Sequence, residues 1–231
     1  MKTIGIIGGM SWESTVPYYR EINEAVKERL GGLHSARIVL YSVDFHDVAR
    51  LQRTGAWDEA AVMMAAAATS LEAAGADLVI LATNTMHEVA PAIEEALTVP
   101  FVHIADPTAE AIKDAGLTRV GLLGTRFTME REFYRTRLKE LHDIDVVVPD
   151  EVDRAEVHRV IYEELALGVI SDESRDAFSD IIDRLAGAGA EGVILGCTEI
   201  GLLVGATDAA VPLFDTGALH VGRAVDLALS E

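Results

Sequence analysis

The sequence is short of cysteine, of positive charge and of long hydrophobic runs, and each shortage excludes a class of structure or partner. Its 231 residues include a single cysteine, Cys197, so an internal disulfide is excluded and this residue acts, if at all, as a thiol. A formal net charge of −19 argues against nucleic acid and anionic membranes as partners, because both bind basic patches. No apolar run approaches the ~20 residues of a membrane-spanning helix.

Signal-peptide features are also missing. The N-terminal MKTIGIIGGMSW has one lysine and a short apolar stretch that runs directly into Gly8 and Gly9. We expect a first strand and its turn there, and a cytoplasmic protein. Half of the residues are hydrophobic and a quarter are charged, which is typical of a globular protein with a buried core.

Motifs for nucleotides and metals are absent as well. The segment GGMSWEST is glycine-rich but lacks the G-x-G-x-x-G spacing, and there is no P-loop. The seven histidines show no metal-binding spacing such as H-E-x-x-H. We therefore expect neither a nucleotide site nor a metal site, and the cofactor question is left to the family resemblance below. His87, four residues after Thr83, and His103, at a predicted strand end, remain candidates for lining a pocket.

Short β-rich runs alternate with helical stretches along the chain. The predicted strands are Thr3–Ile7, Arg37–Val43, Leu78–Leu81, Phe101–Ile104, Val120–Leu123, Val193–Leu195 and Val211–Phe214. The helical stretches include Glu13–Leu30, Asp58–Ala73 and Asp153–Leu167. This alternation predicts βαβ units around parallel sheets, and hence an α/β fold.

The two halves of the chain resemble each other. TIGIIGG matches RVGLLGT, PYYR matches EFYR, AGADLVILATNT matches AGAEGVILGCTE and VPF matches VPL, at offsets of 116, 115, 114 and 112 residues. One such match would reflect only the general likeness of βα units, but four in the same order indicate an internal duplication. We predict two pseudo-symmetric lobes, each a parallel-type sheet flanked by helices: residues 1–98 with about 213–231, and residues 99–212.

Thr83 and Cys197 occupy equivalent positions in the two halves, each just past a predicted strand. Functional groups gather at the carboxyl ends of parallel strands, so we expect an active site in the cleft between the lobes, with both residues catalytic. A thiol at a helix N-terminus is biased toward the thiolate, which favours a reactive Cys197 over a buried, inert one. The Thr83 hydroxyl is a poor base without help, and a helix-capping role explains it equally well.

Six segments carry a resemblance to a known family: GIIGGMSWEST at the start, VDF at 43–45, TNT at 83–85, HIAD at 103–106, LLGTRFTM at 122–129 and GCTEI at 196–200. In this order they resemble the aspartate/glutamate racemase family over essentially the whole chain, and its broad-specificity amino-acid racemases most. The resemblance implies a two-domain α/β enzyme, usually a homodimer, that works without pyridoxal phosphate or metal. In such enzymes two cysteines exchange the α-proton of an amino acid from opposite faces.

The resemblance also implies a set of substrate-binding residues: Met10, Gln52, Asn84, Thr85, Thr125 and Thr198. Of these, Gln52 lies where the family contacts the distal group of the substrate. Candidates to balance a side-chain carboxylate of the substrate are Arg50, Arg53 and Arg126, although each is equally consistent with a solvated surface arginine.

One departure from the family pattern changes the expected mechanism. The family usually has CNT where this chain has TNT, so Thr83 replaces the first cysteine. We expect an asymmetric racemase, with Cys197 on one face of the substrate carbon and Thr83 on the other. Two alternatives stay open: a single-cysteine decarboxylase or isomerase of small dicarboxylic acids, and an amino-acid-binding relative without catalytic activity.

Overall fold

A computed structural model describes residues 1–230, in which strands and helices alternate. The strands are β1 Thr3–Gly8, β2 Arg37–Ser42, β3 Leu78–Leu81, β4 Phe101–Val102, β5 Arg119–Gly124, β6 Asp145–Val147, β7 Val193–Gly196 and β8 Leu213–Asp215. The helices are α1 Trp12–Leu30, α2 Phe45–Thr54, α3 Trp57–Ala73, α4 Ala90–Ala96, α5 Ala105–Asp114, α6 Arg126–Glu130, α7 Glu132–His142, α8 Glu151–Glu163, α9 Asp172–Gly187, α10 Ile200–Leu203 and α11 Thr216–Leu229. Short 3₁₀ turns cover Thr85–Val89 and Leu165–Leu167. No helix in this range is long and apolar enough to cross a membrane.

The chain divides into two compact units, which confirms the predicted α/β fold of two lobes. The first unit contains residues 1–104 and the C-terminal segment from His220, and the second runs from Ala105 to Leu219. The chain passes from the first unit to the second after Ile104 and returns after Leu219, so both boundaries lie later in the chain than the predicted limits at 98/99 and 212/213. The reason is strand pairing: β4 pairs with β3 in the first sheet, and β8 pairs with β7 in the second.

The first unit is a four-stranded parallel sheet in the order β2-β1-β3-β4. Side chains alternate between its faces, as the pleat of a strand requires. On one face Ile7, Val79 and Leu81 pack with the apolar side of α3. On the other face Ile4, Ile6 and Ile80 pack with residues of α1 and α11. Helices therefore cover both faces, which is the usual environment of a parallel sheet.

The second unit repeats this plan with the order β6-β5-β7-β8. Even the strand register is the same: Gly5 of β1 pairs with Val79 of β3, and Gly121 of β5 pairs with Val193 of β7. These are the residues that the internal duplication aligns. The core on one face of this sheet comes largely from α8 and α9, with Val157, Phe178 and Ile182 fully buried.

Candidate active site

In the first unit, two predicted site residues follow neighbouring strands. Ile7 and Leu81 form the last pair of β1 and β3, and the N–H of Ala82 donates to the carbonyl of Ile7 at 2.9 Å. The chain leaves both strands at the same edge of the sheet, where Met10 and Thr83 come next. Both residues are buried, with 4% and 9% of their surface exposed. This edge carries the first half of the predicted site.

A histidine fixes the backbone around Thr83. The Nδ1 of His87 donates to the carbonyl oxygen of Thr83 at 2.8 Å, while its Nε2 accepts from the N–H of Ile104 at 3.1 Å. Since a carbonyl only accepts and an N–H only donates, His87 is a neutral imidazole with its proton on Nδ1. It ties the chain after β3 to the chain after β4. The predicted binding residues Asn84 and Thr85 lie buried in the turn that it closes.

Gln52 is buried on α2, with 4% of its surface exposed. Its side-chain amide donates to the thioether of Met86 at 3.2 Å, which brings it against the 3₁₀ turn that follows Thr83. The three arginines proposed to balance a substrate carboxylate, Arg50, Arg53 and Arg126, all lie exposed.

In the second unit the corresponding edge is built by two glycines. Gly124 of β5 pairs with Gly196 of β7, and a Cβ added at Gly196 would lie 2.8 Å from the carbonyl oxygen of Leu123. A side chain does not fit there, so glycine must precede Cys197. Thr125 follows Gly124 and caps α6, its hydroxyl accepting from the N–H of Thr128 at 3.3 Å. Thr125 and Cys197 therefore emerge from adjacent, paired strands.

The thiol of Cys197 has a carboxylate partner. Its Sγ donates to Oε2 of Glu199 at 2.9 Å, and the hydroxyl of Thr198 donates to the same oxygen at 3.0 Å. Glu199 is buried, with 4% of its surface exposed, while Cys197 and Thr198 are partly exposed. The three side chains form one hydrogen-bonded group at the end of β7. We call Cys197 and Glu199 the Cys197–Glu199 pair; Thr198 supports the pair by donating to the same carboxylate oxygen.

The surroundings of Cys197 oppose the ionisation that the sequence predicts. Although part of the residue is exposed, the apolar side chains packed around it raise the pKa of the thiol well above its usual range by keeping water away, and the neighbouring Glu199 carboxylate raises it further. The raised pKa runs against the sequence-based expectation of a thiolate held by a helix N-terminus. The helix that follows, α10, has only four residues and begins at Ile200, so its dipole is too small to offset the carboxylate.

Sequence reasoning missed the carboxylate in direct contact with the thiol. Glu199 belongs to the GCTEI segment, but its place two residues after Cys197 does not show whether its side chain meets the sulfur. Within residues 1–230, no cluster of three or more His, Cys, Asp or Glu side chains is arranged to hold a metal ion. The predicted catalytic and substrate-binding residues thus fall into two groups, one in each unit, and all except Gln52 of α2 follow the ends of strands.

Solved structures define the class of protein that has this fold. A protein from Yersinia pestis, described as a candidate Asp/Glu racemase, is 57% identical over 100% of both chains, with a TM-score of 0.92. An aspartate racemase homologue from Pyrococcus horikoshii is 36% identical over 100% of both chains, with a TM-score of 0.86. The fold is that of the Asp/Glu racemases.

The family follows from the sequence match. Residues 7–224 match the model of the Asp/Glu/Hydantoin racemase family, and the chain belongs to that family. It is an isomerase of the racemase class. A broad-specificity amino-acid racemase of Bacillus subtilis is 30% identical over 139 residues, which are 59% of this chain and 60% of that relative. These relatives do not favour the decarboxylase or the non-catalytic alternative.

Proposed function

We propose that the protein racemises glutamate, aspartate or a broader set of amino acids without a cofactor. The observation that carries the proposal is the equivalence of Thr83 and Cys197, which follow β3 and β7 at matching registers in two units of the same topology. One reactive side chain from each half of a duplicated racemase supplies the two groups that inversion at Cα needs. Cys197 acts on one face of the carbon and Thr83 on the other.

Cys197 supplies the stronger proton-transfer group. As a thiolate it removes the α-proton, the Cα–H bond breaks, and the electron pair spreads into the substrate carboxylate. As a thiol it returns a proton to the carbanion from the same face. General acid–base catalysis of this kind is effective only where hydrogen-bond donors stabilise the charge that develops on the carboxylate.

Thr83 supplies a hydroxyl where a second thiol would make the reaction symmetric. A hydroxyl can donate a proton to a carbanion, because the carbanion is the much stronger base. It removes a proton from Cα poorly, because its high pKa leaves almost no alkoxide near neutral pH. We therefore propose that Thr83 delivers or relays the proton, alone or through a water molecule. The reaction then favours the enantiomer whose α-proton faces Cys197.

The proposed substrate contacts come from both units. They are Met10, Gln52, Asn84, Thr85, Thr125 and Thr198. The named activities of relatives support an amino-acid substrate: one is an aspartate racemase homologue and another a broad-specificity amino-acid racemase. We propose acidic amino acids first, because a buried amide such as Gln52 can donate to a distal carboxylate.

A panel of L- and D-amino acids in heavy water tests this proposal. Loss of the α-proton signal in the magnetic resonance spectrum reports exchange at Cα for each enantiomer. We expect glutamate or aspartate to lose the signal, with one enantiomer reacting at least ~10-fold faster than the other, since only one face meets a thiol. No exchange with any amino acid would contradict the function.

Two variants of Thr83 test its place on the proton path. Thr83→Cys creates the second thiol, so we expect the rates of the two enantiomers to converge. Thr83→Val keeps the shape of the side chain but removes the hydroxyl, so we expect inversion to fall while exchange on the Cys197 face persists. If both variants exchange the two enantiomers as the wild type does, Thr83 is not on the path.

A further inference from the structure

The turn that carries Thr83 is closed by a side chain, whereas the matching turn after Cys197 is closed by the backbone. The imidazole Nδ1 of His87 donates to the carbonyl oxygen of Thr83 at 2.8 Å. In the second unit the N–H of Ile200 donates to the carbonyl oxygen of Cys197 at 3.0 Å. We propose that His87 is a positioning residue for the proton transfer by Thr83. This inference rests on the proposed function and adds a residue that acts through Thr83.

Both backbone groups of Thr83 are hydrogen-bonded. Its N–H donates to the carbonyl of Leu81 at 2.8 Å, in a tight turn directly after β3. The N–H of His87 donates to the carbonyl of Asn84 at 3.0 Å, so the imidazole is the group of His87 that reaches back to the carbonyl of Thr83. Because the peptide groups on both sides of Thr83 are fixed, its Cα–Cβ bond has a fixed direction, and the hydroxyl is limited to a few rotamers.

His87 is itself anchored, and 2% of its surface is exposed. Its Nε2 accepts from the N–H of Ile104 at 3.1 Å, in the chain that follows β4. Its ring packs against those of His103 and Phe101, with centroids 4.4 and 5.6 Å away. We call the two hydrogen bonds of His87, to Thr83 and from Ile104, the imidazole bridge. The bridge joins Thr83 to a second segment of the first unit.

The internal duplication shows that the fold itself does not require this bridge. At the offset of 114 residues that relates Thr83 to Cys197, His87 corresponds to Gly201. Glycine has no side chain to reach back, and the carboxylate of Asp215 occupies the place that an added Cβ would need. The bridge therefore belongs to the half that carries the hydroxyl. Proton transfer needs the donor within about 2.6–3.2 Å of the atom that it serves, so a small displacement of Thr83 is enough to prevent it.

The test separates inversion from exchange in one reaction. In heavy water, deuterium at Cα of the faster-reacting enantiomer reports exchange on the Cys197 face, and formation of the other enantiomer reports inversion through Thr83. Both rates come from the same folded molecules. Partial unfolding therefore lowers the two rates together and leaves the ratio of inversion to exchange unchanged, whereas displacement of Thr83 lowers the ratio.

His87→Asn and His87→Gln each keep one bond of the imidazole bridge. The shorter amide places its nitrogen near the position of Nδ1, where it can donate to Thr83, and the longer amide places its oxygen near that of Nε2, where it can accept from Ile104. We expect the ratio to fall at least ~10-fold in His87→Gln and to stay within about threefold of the wild type in His87→Asn, because only the first displaces Thr83. Equal ratios in the two variants would show that the bond to Thr83 does not position it.

His220→Asn is the matched control, because it replaces another fully buried imidazole of the first unit. The Nε2 of His220 donates to the carbonyl of Val102 at 2.8 Å, and its Nδ1 accepts from the hydroxyl of Tyr18 at 3.0 Å. This variant should lower the melting temperature and leave the ratio as in the wild type. A double variant adds a second control: once Thr83→Val has removed the hydroxyl, His87→Gln should not lower the ratio further.

Two further results would overturn the inference: a ratio that falls as far in His220→Asn as in His87→Gln, or a further fall when His87→Gln is added to Thr83→Val. A nitrogen-15 magnetic resonance spectrum of the histidines needs no turnover. It should show the proton of His87 on Nδ1, and a proton on Nε2 would also overturn the inference. If the wild type exchanges no amino acid, the proposed function fails, while the spectrum still decides whether the bond to Thr83 exists.

Discussion

At the scale of single residues, the turn after β1 depends on a glycine. Gly9 has φ of +92°, a left-handed conformation that other residues adopt only with strain. A Cβ added at this position would also lie 2.8 Å from the backbone nitrogen of Val43 and 2.8 Å from the hydroxyl oxygen of Ser42. The turn between β1 and Met10 therefore requires glycine for two reasons: the left-handed backbone conformation and the lack of room for a side chain.

Gly9→Ala should lower the free energy of unfolding by about 2–5 kcal/mol, the sum of the conformational strain and the close contact. Gly75→Ala is the matched control, because Gly75 has φ of +93° in the same unit but nothing within 4 Å of an added Cβ. It should cost only about 1–2 kcal/mol. Chemical denaturation measures both. Equal losses would show that the space around Gly9 does not matter.

Single residues also show most clearly what the sequence predicts and what it does not. The duplication was enough to predict that Thr83 and Cys197 follow equivalent strands, because repeated sequence implies repeated topology. The raised pKa of Cys197 was not predictable, since it depends first on how the folded chain shields the sulfur from water and then on where the Glu199 side chain lies. A hydrogen bond of 2.9 Å to a carboxylate outweighs the general effect of a helix N-terminus.

At the scale of elements, a carboxylate in each unit accepts hydrogen bonds from the backbone at the start of the central strand. Asp77, just before β3, accepts from the N–H of Thr3 at 2.6 Å. Glu191, at the equivalent position before β7, accepts from the N–H groups of Thr118 and Arg119 at 2.9 and 3.0 Å. These bonds engage backbone donors at the start of the central strands. The duplication has thus kept a structural contact as well as the strand order.

Glu191→Gln should lower the stability of the fold by an amount that depends on pH. The backbone N–H groups of Thr118 and Arg119 hold the pKa of Glu191 below its usual 4.5. A depressed carboxyl pKa stabilises the fold above the unfolded pKa and loses that contribution as pH falls through the folded one. The variant should melt below the wild type at pH 7, and the gap should close below about pH 4.5. Glu140→Gln makes the same change at an exposed site on α7 and should show no gap, and a gap that widens in acid would contradict the account.

Most of the strands followed from the sequence, and the strand that was missed has a physical cause. The strong βαβ periodicity predicted seven strands close to their observed positions. It missed β6, Asp145–Val147, which has three residues and exists because it pairs with the edge of β5. The limits of the lobes were displaced for a related reason, because β4 and β8 are assigned by their partner strands. Pairing between distant segments leaves little local signal in such short strands.

At the scale of the whole molecule, two units with the same strand order and register build one member of the Asp/Glu/Hydantoin racemase family. The duplication provides two equivalent strand ends, and divergence has given them different chemistry. One carries the Cys197–Glu199 pair with its supporting Thr198, and the other carries a hydroxyl on a turn that His87 braces. The account therefore makes the thiol indispensable and the two substrate enantiomers unequal.

The most direct measurement compares α-proton exchange of L- and D-glutamate and aspartate in heavy water by the wild type and by Cys197→Ala. The account predicts exchange by the wild type and a loss of at least ~100-fold in the variant, since general acid–base groups contribute about that much or more. Thermal melting should confirm that the variant remains folded. Exchange that persists at the wild-type rate in folded Cys197→Ala would contradict the central role of the thiol.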